Sequence, residues 1–149
     1  MAERWKVFLD TNVFIAGLAS RTGASAAILD LGEAEEVLIV VSQQVLVEAD
    51  RTFSVKFPLL VTKYRQFVKN VAPLLIDDPP PTAVRAAAQV IDPDDAPILA
   101  AAKQEGIDYL VTLNTRHFAT SKVRAFLPAP IVTPAELLTA FRQFWEQAH

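Results

Sequence analysis

The sequence predicts an α/β domain in which a parallel sheet lies between helical layers, and three observations lead there. Short apolar, β-branched runs alternate along the chain with longer stretches of helical periodicity. The stretches joining those runs are long enough for crossovers, which favours parallel pairing. The run Val37 to Val41 is apolar without alternation, the composition of a strand covered on both faces. With 149 residues, no internal repeat and no low-complexity tail, the chain reads as one domain over residues 1–149.

In order, Trp5 to Leu9 reads as a short buried strand ending at Asp10-Thr11-Asn12. Ala24 to Leu31 is a helix that follows a Ser-Arg-Thr-Gly turn, and Val37 to Val41 is the second strand. Ser42 then caps a helix with apolar positions Val45, Leu46, Ala49 and Phe53, which Pro58 breaks. A further helix from about Leu60 carries Val61, Tyr64, Val68 and Val71 at spacings of three and four, with Lys63, Arg65 and Lys69 off that stripe. Leu74 to Ile76 is a short strand, and Pro79-Pro80-Pro81 a stiff connector. One alanine-rich helix is expected from Thr82 to about Ile91. A second is expected from Pro93, capped by Asp92, to about Glu105, where Gly106 closes it. Tyr109 to Leu113 and Pro130 to Val132 are the last strands. Thr133-Pro134-Ala135-Glu136 starts a final helix with a capping box, and Leu137, Leu138, Phe141, Phe144 and Trp145 form its apolar face. Those aromatics exceed what docking a terminal helix needs, so a homodimer is expected.

Composition removes several kinds of chemistry. There is no cysteine, which excludes disulfides, thiol catalysis and cysteine-ligated zinc. Only His117 and His149 are present, too few for a multi-histidine metal site. The four glycines cannot supply a dinucleotide-binding fingerprint, and Ala24 stands where a phosphate-binding loop at Gly17 and Gly23 would need lysine. No apolar run approaches the roughly 20 residues of a membrane span. The opening Met-Ala-Glu-Arg-Trp-Lys-Val lacks a long apolar core, so a cytoplasmic protein without membrane partners is expected. What remains for chemistry is carboxylates.

The net charge of −3 hides two basic segments. Arg51 to Ile76 contains no acid and carries +5, and Tyr109 to Ala135 contains no acid and carries +3. Local field of this kind steers a polyanion even when the total is mildly acidic.

The functional edge of an open parallel sheet lies at the carboxyl ends of its strands. Asp10 stands just past the first strand and Asn114 just past the Tyr109–Leu113 strand. Glu48 lies in the first turns of a helix leaving the second strand, and Asp94 and Asp95 open a helix that begins at the same edge. Each has a structural reading: Asp10 or Asn114 closing a turn, Glu48 solvated, Asp94 and Asp95 favouring a helix dipole, and His117 beside Phe118 packing or lying on the surface. As a set they put three carboxylate sites on one rim, with no histidine, cysteine or lysine expected there to neutralise them. Such a cluster calls for a hard, oxygen-loving cation, Mg²⁺ or Mn²⁺, and such ions support phosphoryl chemistry.

These residues resemble the PIN-domain family of metal-dependent nucleases. The likeness runs through Val7-Phe8-Leu9-Asp10-Thr11-Asn12-Val13, Val45-Leu46-Val47-Glu48, Asp92 to Ala102 and Asp108 to Asn114, and so covers nearly the whole chain. It implies a three-layer α/β/α sandwich with a five-stranded parallel sheet, and cleavage of single-stranded RNA with Mg²⁺ or Mn²⁺. The family's acidic positions fall on Asp10, Glu48 and Asp95, with Asp94 as an accessory. The fourth falls on Asn114, where this chain departs from the fully acidic pattern. Many members of this size resemble the toxin half of toxin–antitoxin pairs (VapC-like) and bind a small antitoxin that fills the site.

The expected function is therefore an endoribonuclease toxin in which Asp10, Glu48, Asp95 and Asn114 act at a metal site. Thr11, Asn12, Thr112, Arg116 and Arg51 are the expected RNA contacts. Two other classes compete. A haloacid-dehalogenase-like phosphatase would need a carboxylate where Asn12 stands. A PIN-like module with weak or absent catalysis would bind RNA or a partner protein without cutting.

Overall fold

A computed structural model describes residues 4–148 of the chain. Five strands form one all-parallel sheet: β1 (Trp5–Leu9), β2 (Val37–Ser42), β3 (Leu74–Ile76), β4 (Tyr109–Val111) and β5 (Ile131–Val132). Their order is β3-β2-β1-β4-β5. The chain steps outward from β1 to β3, then returns to the other side of β1, so the direction reverses between β1 and β4. In doubly wound sheets that reversal opens a crevice at the carboxyl ends of the strands.

Nine α-helices are assigned among the described residues. Helices α1 (Thr11–Ala19), α2 (Ala24–Glu33), α3 (Gln43–Lys56) and α4 (Val61–Val71) lie in the connections leading from β1 to β3. Right-handed crossovers in one direction place these helices on one face. Helix α9 (Pro134–Ala148) packs beside α2 there. Helices α5 (Pro81–Ala87) and α6 (Ala96–Gln104) pack together on the other face, and Lys103 of α6 lies 3.9 Å over the Phe126 ring of α8 (Ser121–Phe126). The short α7 (Thr115–Phe118) follows β4. The three-layer sandwich is thus present, and no described helix is long and apolar enough to cross a membrane.

The core explains why these segments choose these elements. Val7, Phe8, Leu9, Val40, Val41, Leu110 and Val111 are fully buried, as strands covered on both faces require. Phe14 of α1, Phe53 of α3 and Tyr64 of α4 meet in one aromatic cluster, with Phe53 and Tyr64 stacked at 4.8 Å. Gly17 lets α1 approach α2: a Cβ there would lie 2.5 Å from Leu29 Cδ1 and 3.0 Å from the Ser25 carbonyl oxygen. On the opposite flank Trp5 packs against Tyr109, Phe141 and Phe144, which fastens α9 to the sheet.

Several elements differ from their expectation. Helix α1 lies where the sequence shows no helical periodicity, because Val13, Phe14, Ile15, Ala16 and Leu18 are nearly continuous and offer no polar face. Helix α8 also lies outside the predicted elements, and Thr120 caps it by accepting the Val123 N–H at 3.2 Å. Helix α5 stops at Ala87, with turns carrying the chain to Ile91. Regular α6 starts at Ala96 rather than Pro93. Asp92 uses its carboxylate for the Asp94 N–H (2.9 Å) and its carbonyl for the N–H groups of Asp95 and Ala96 (2.9 and 3.1 Å). At the other end Glu105 is extended and Gly106 is not left-handed, so the chain leaves α6 without a glycine cap.

Candidate active site

The crevice between β1 and β4 is built by register. Leu9 pairs with Val111, so the next residues, Asp10 and Thr112, stand side by side at the sheet edge. The Asp10 N–H continues the ladder by donating to the Val111 carbonyl at 3.0 Å. Its side chain turns inward and is only 8% exposed. Asp10 Oδ1 accepts the Thr11 N–H at 2.8 Å, and Oδ2 accepts the Thr112 hydroxyl at 2.8 Å and the Asn12 amide at 3.4 Å. The capping reading of Asp10 is therefore real, since the residue opens α1.

Burial pushes the Asp10 carboxyl above the ordinary aspartate range. The hydrogen bonds from Thr112 and Thr11 pull it down, while the charges of Asp95 and Glu48 push it up again. The three carboxylates thus share one electrostatic neighbourhood, although they come from three separate parts of the chain.

Glu48, half-buried on α3, is held by two hydrogen bonds: Oε2 accepts the Thr11 hydroxyl at 3.2 Å and Oε1 accepts Gln44 Nε2 at 3.2 Å. Ser42 makes this possible, since its hydroxyl caps α3 at the Val45 N–H and sets the helix off from the end of β2. Asp95 stands at the N-cap position of α6, yet its side chain makes no cap hydrogen bond because Asp92 closes that turn. Its carboxylate faces α7 instead, where Oδ1 accepts Asn114 Nδ2 at 3.5 Å and Oδ2 lies 2.8 Å from His117 Nδ1. Asn114 Nδ2 is also 3.3 Å from His117 Nδ1.

His117, which the sequence suggests is a packing or surface residue, joins the site. The expectation of a rim without histidine is corrected: one turn of α7 carries the imidazole back onto Asp95. Asp94 is exposed, and its N–H rather than its carboxylate joins the local network.

The expected RNA contacts divide into two groups. Thr11, Asn12 and Thr112 form the frame of the carboxylates. Asn12 bridges the crevice, with its amide on Asp10 and its Oδ1 accepting the Leu113 N–H at 3.2 Å. Thr112 is fully buried, and its hydroxyl both donates to Asp10 and accepts the Asn114 N–H at 2.9 Å. That corrects the expectation of an RNA contact at Thr112, whose hydroxyl lies behind Asp10. Arg116 is exposed and lines a depression of about 440 Å³ with His117, Thr120 and Lys122. Arg51 lies elsewhere, in a groove of about 530 Å³ between α3 and α4 with Leu46, Val47 and Tyr64. In that first basic segment Arg65 is held bidentately by Asp50 at 2.9 and 3.0 Å, which offsets one of its charges.

The donor set fits a hard divalent ion in kind. It offers carboxylate oxygens from Asp10, Asp95 and Glu48, and Asp10 is raised first by burial and then by the charges of the other two. Among the described residues, no three aspartate, glutamate or histidine side chains close on a single point as they stand.

Comparison with known proteins bears on the family and the fold. The family model described as PIN domain matches residues 6–116. No curated protein matches the sequence. Among solved structures the chain is similar to PAE2754 from Pyrobaculum aerophilum, with 16% identity and a TM-score of 0.63 over 93% of this chain and 90% of that one. It is similar to VapBC2 from Rickettsia felis, solved bound to a DNA fragment from their promoter, with 19% identity and a TM-score of 0.59 over 85% and 96%. It is also similar to FitAcB from Neisseria gonorrhoeae, with 21% identity and a TM-score of 0.59 over 86% and 97%. At these identities the likeness is one of fold.

Proposed function

The chain belongs to the PIN-domain family, and we propose that it is a metal-dependent endoribonuclease that cuts single-stranded RNA as the toxin of a toxin–antitoxin pair. The observation that carries this reading is the buried Asp10 carboxylate at the carboxyl end of β1, linked through Thr11 to Glu48 and lying within electrostatic reach of Asp95. Carboxylates that repel one another across a crevice are better explained by a cation between them than by stability.

Asp10, Asp95 and Glu48 would hold Mg²⁺ or Mn²⁺, with Asn114 as a neutral donor and Asp94 as an accessory. When bound, such an ion lowers the pKa of water and offsets charge on phosphoryl oxygens. The chain's own residues set the stage for this. Thr11 and Thr112 hold the Asp10 carboxylate in one orientation, which limits the reorganisation required during reaction. Thr11 and Gln44 fix Glu48 so that it can orient water. Arg116 and Lys122 line the adjoining depression and would take RNA phosphates, with Arg51 farther along the backbone path.

The fold likeness to VapBC2 and FitAcB supports an antitoxin as partner. A module that binds RNA or a partner protein with little cutting is the second reading, favoured by the uncharged Asn114 and by the imidazole lying on Asp95. Incubation with fluorescent single-stranded RNA and Mn²⁺, with and without EDTA, separates the two. Cleavage that EDTA stops supports the nuclease, and RNA retention without cleavage supports the binding module.

A further inference from the structure

We infer that His117 is a metal ligand of this site and that, paired with Asp95, it tunes the site toward a divalent transition ion such as Mn²⁺ and away from Mg²⁺. The inference rests on the metal-dependent reading above and adds a nitrogen donor to it. His117 Nδ1 lies 2.8 Å from Asp95 Oδ2. Two neighbouring donors on an octahedral ion at about 2.1 Å stand roughly 3.0 Å apart, so this spacing suits a shared ion as well as a hydrogen bond. Asn114 completes a three-residue group, with its amide nitrogen 3.3 Å from the same imidazole nitrogen and 3.5 Å from Asp95 Oδ1. Rotation of the Asn114 amide by 180° would turn its oxygen toward the group.

The positions of the three side chains have separate causes. Asp92 closes the first turn before α6, which leaves the Asp95 side chain without a capping bond. The Thr112 hydroxyl fixes the start of α7 at the Asn114 N–H, and one helical turn then brings His117 alongside Asn114. His117 is half exposed, which leaves room for water or an RNA phosphate in the remaining coordination positions. An imidazole is a poor ligand for Mg²⁺, which prefers oxygen, and a better one for transition ions.

The test is Mn²⁺ titration of the full chain followed by pulsed electron paramagnetic resonance, with His117→Gln and His117→Ala as variants. Nitrogen modulation on the bound Mn²⁺ is expected in the natural protein and absent in both variants. Mn²⁺ affinity should fall by at least about tenfold in the variants. Mg²⁺ affinity, measured by competition, should move by less than about twofold. Bound Mn²⁺ without nitrogen modulation, at an affinity unchanged in His117→Gln, overturns the inference and leaves the metal-dependent reading standing. No Mn²⁺ binding by the natural protein overturns both. Circular dichroism of both variants confirms that a lost signal reflects a lost ligand rather than unfolding.

Discussion

Thr112 donates its hydroxyl to Asp10 at 2.8 Å across the seam between β4 and β1, joining two residues 102 positions apart in sequence. The same oxygen accepts the Asn114 N–H, so one buried hydroxyl orients the central carboxylate and starts the loop that carries Asn114 and His117. Replacing Thr112 with valine keeps the shape and removes both bonds. The expected cost is about 2 kcal/mol of stability, since a buried carboxylate and a half-buried N–H lose their partner together. The Asp10 carboxyl should also titrate higher, because the Thr112 bond is the largest influence lowering it. Thr112→Ser keeps the hydroxyl and should restore the titration. Carbon-13 NMR of the Asp10 carboxyl across pH, beside urea unfolding, measures both effects.

Asp10 gives a stability prediction whose sign follows from its raised pKa. Between the unfolded value near 3.8 and the higher folded value, the folded protein binds more protons than the unfolded chain. The contribution of Asp10 to stability of the metal-free protein therefore falls as pH rises through that window and levels off above its folded pKa. Asp10→Asn removes this dependence and should be as stable as the natural protein, or more stable, at neutral pH without metal. Thermal unfolding of the two proteins from pH 4 to 8 checks it. A large loss of stability in Asp10→Asn at neutral pH would make Asp10 chiefly a helix cap.

The end of α9 bears on association. Phe141 and Phe144 pack on Trp5, yet Phe144 and Trp145 each remain 44% exposed. Aromatic side chains that are half covered within one chain suit a second copy as cover, and a homodimer is the expected state. Light scattering at micromolar concentration should give twice the chain mass, and Phe144→Ser should lower it to one. A monomer mass for the natural protein would contradict the expectation.

How much of this was legible in the sequence differs from residue to residue. The run Trp5 to Leu9 announces a buried strand, and placing Asp10 at its end needs only the rule that sites lie at the carboxyl ends of parallel strands. The capping box of α9 forms as read, with Thr133 and Glu136 exchanging bonds of 2.8 and 3.1 Å. The Ser42 cap is also as expected. Helix α1 was hidden because its apolar residues give no helical contrast. The start of α6 was displaced because Asp92 can cap either at once or through an extra turn, and nearest-neighbour reasoning does not choose between them. His117 was hidden for another reason. Its partner Asp95 lies 22 residues away, and their meeting depends on the single turn of α7, which no periodicity reveals.

The most direct test of the carboxylate site as a nuclease centre is single-turnover cleavage of single-stranded RNA in Mn²⁺ by the natural protein, Asp10→Asn and Asp95→Asn. The three proteins are first matched for folded content by circular dichroism. The account predicts cleavage by the natural protein and at least about a hundredfold loss in each variant, as expected when a group acting in the transition state is removed. Equal cleavage by all three folded proteins would contradict it, because the RNA would then be cut without the carboxylates that the fold brings together.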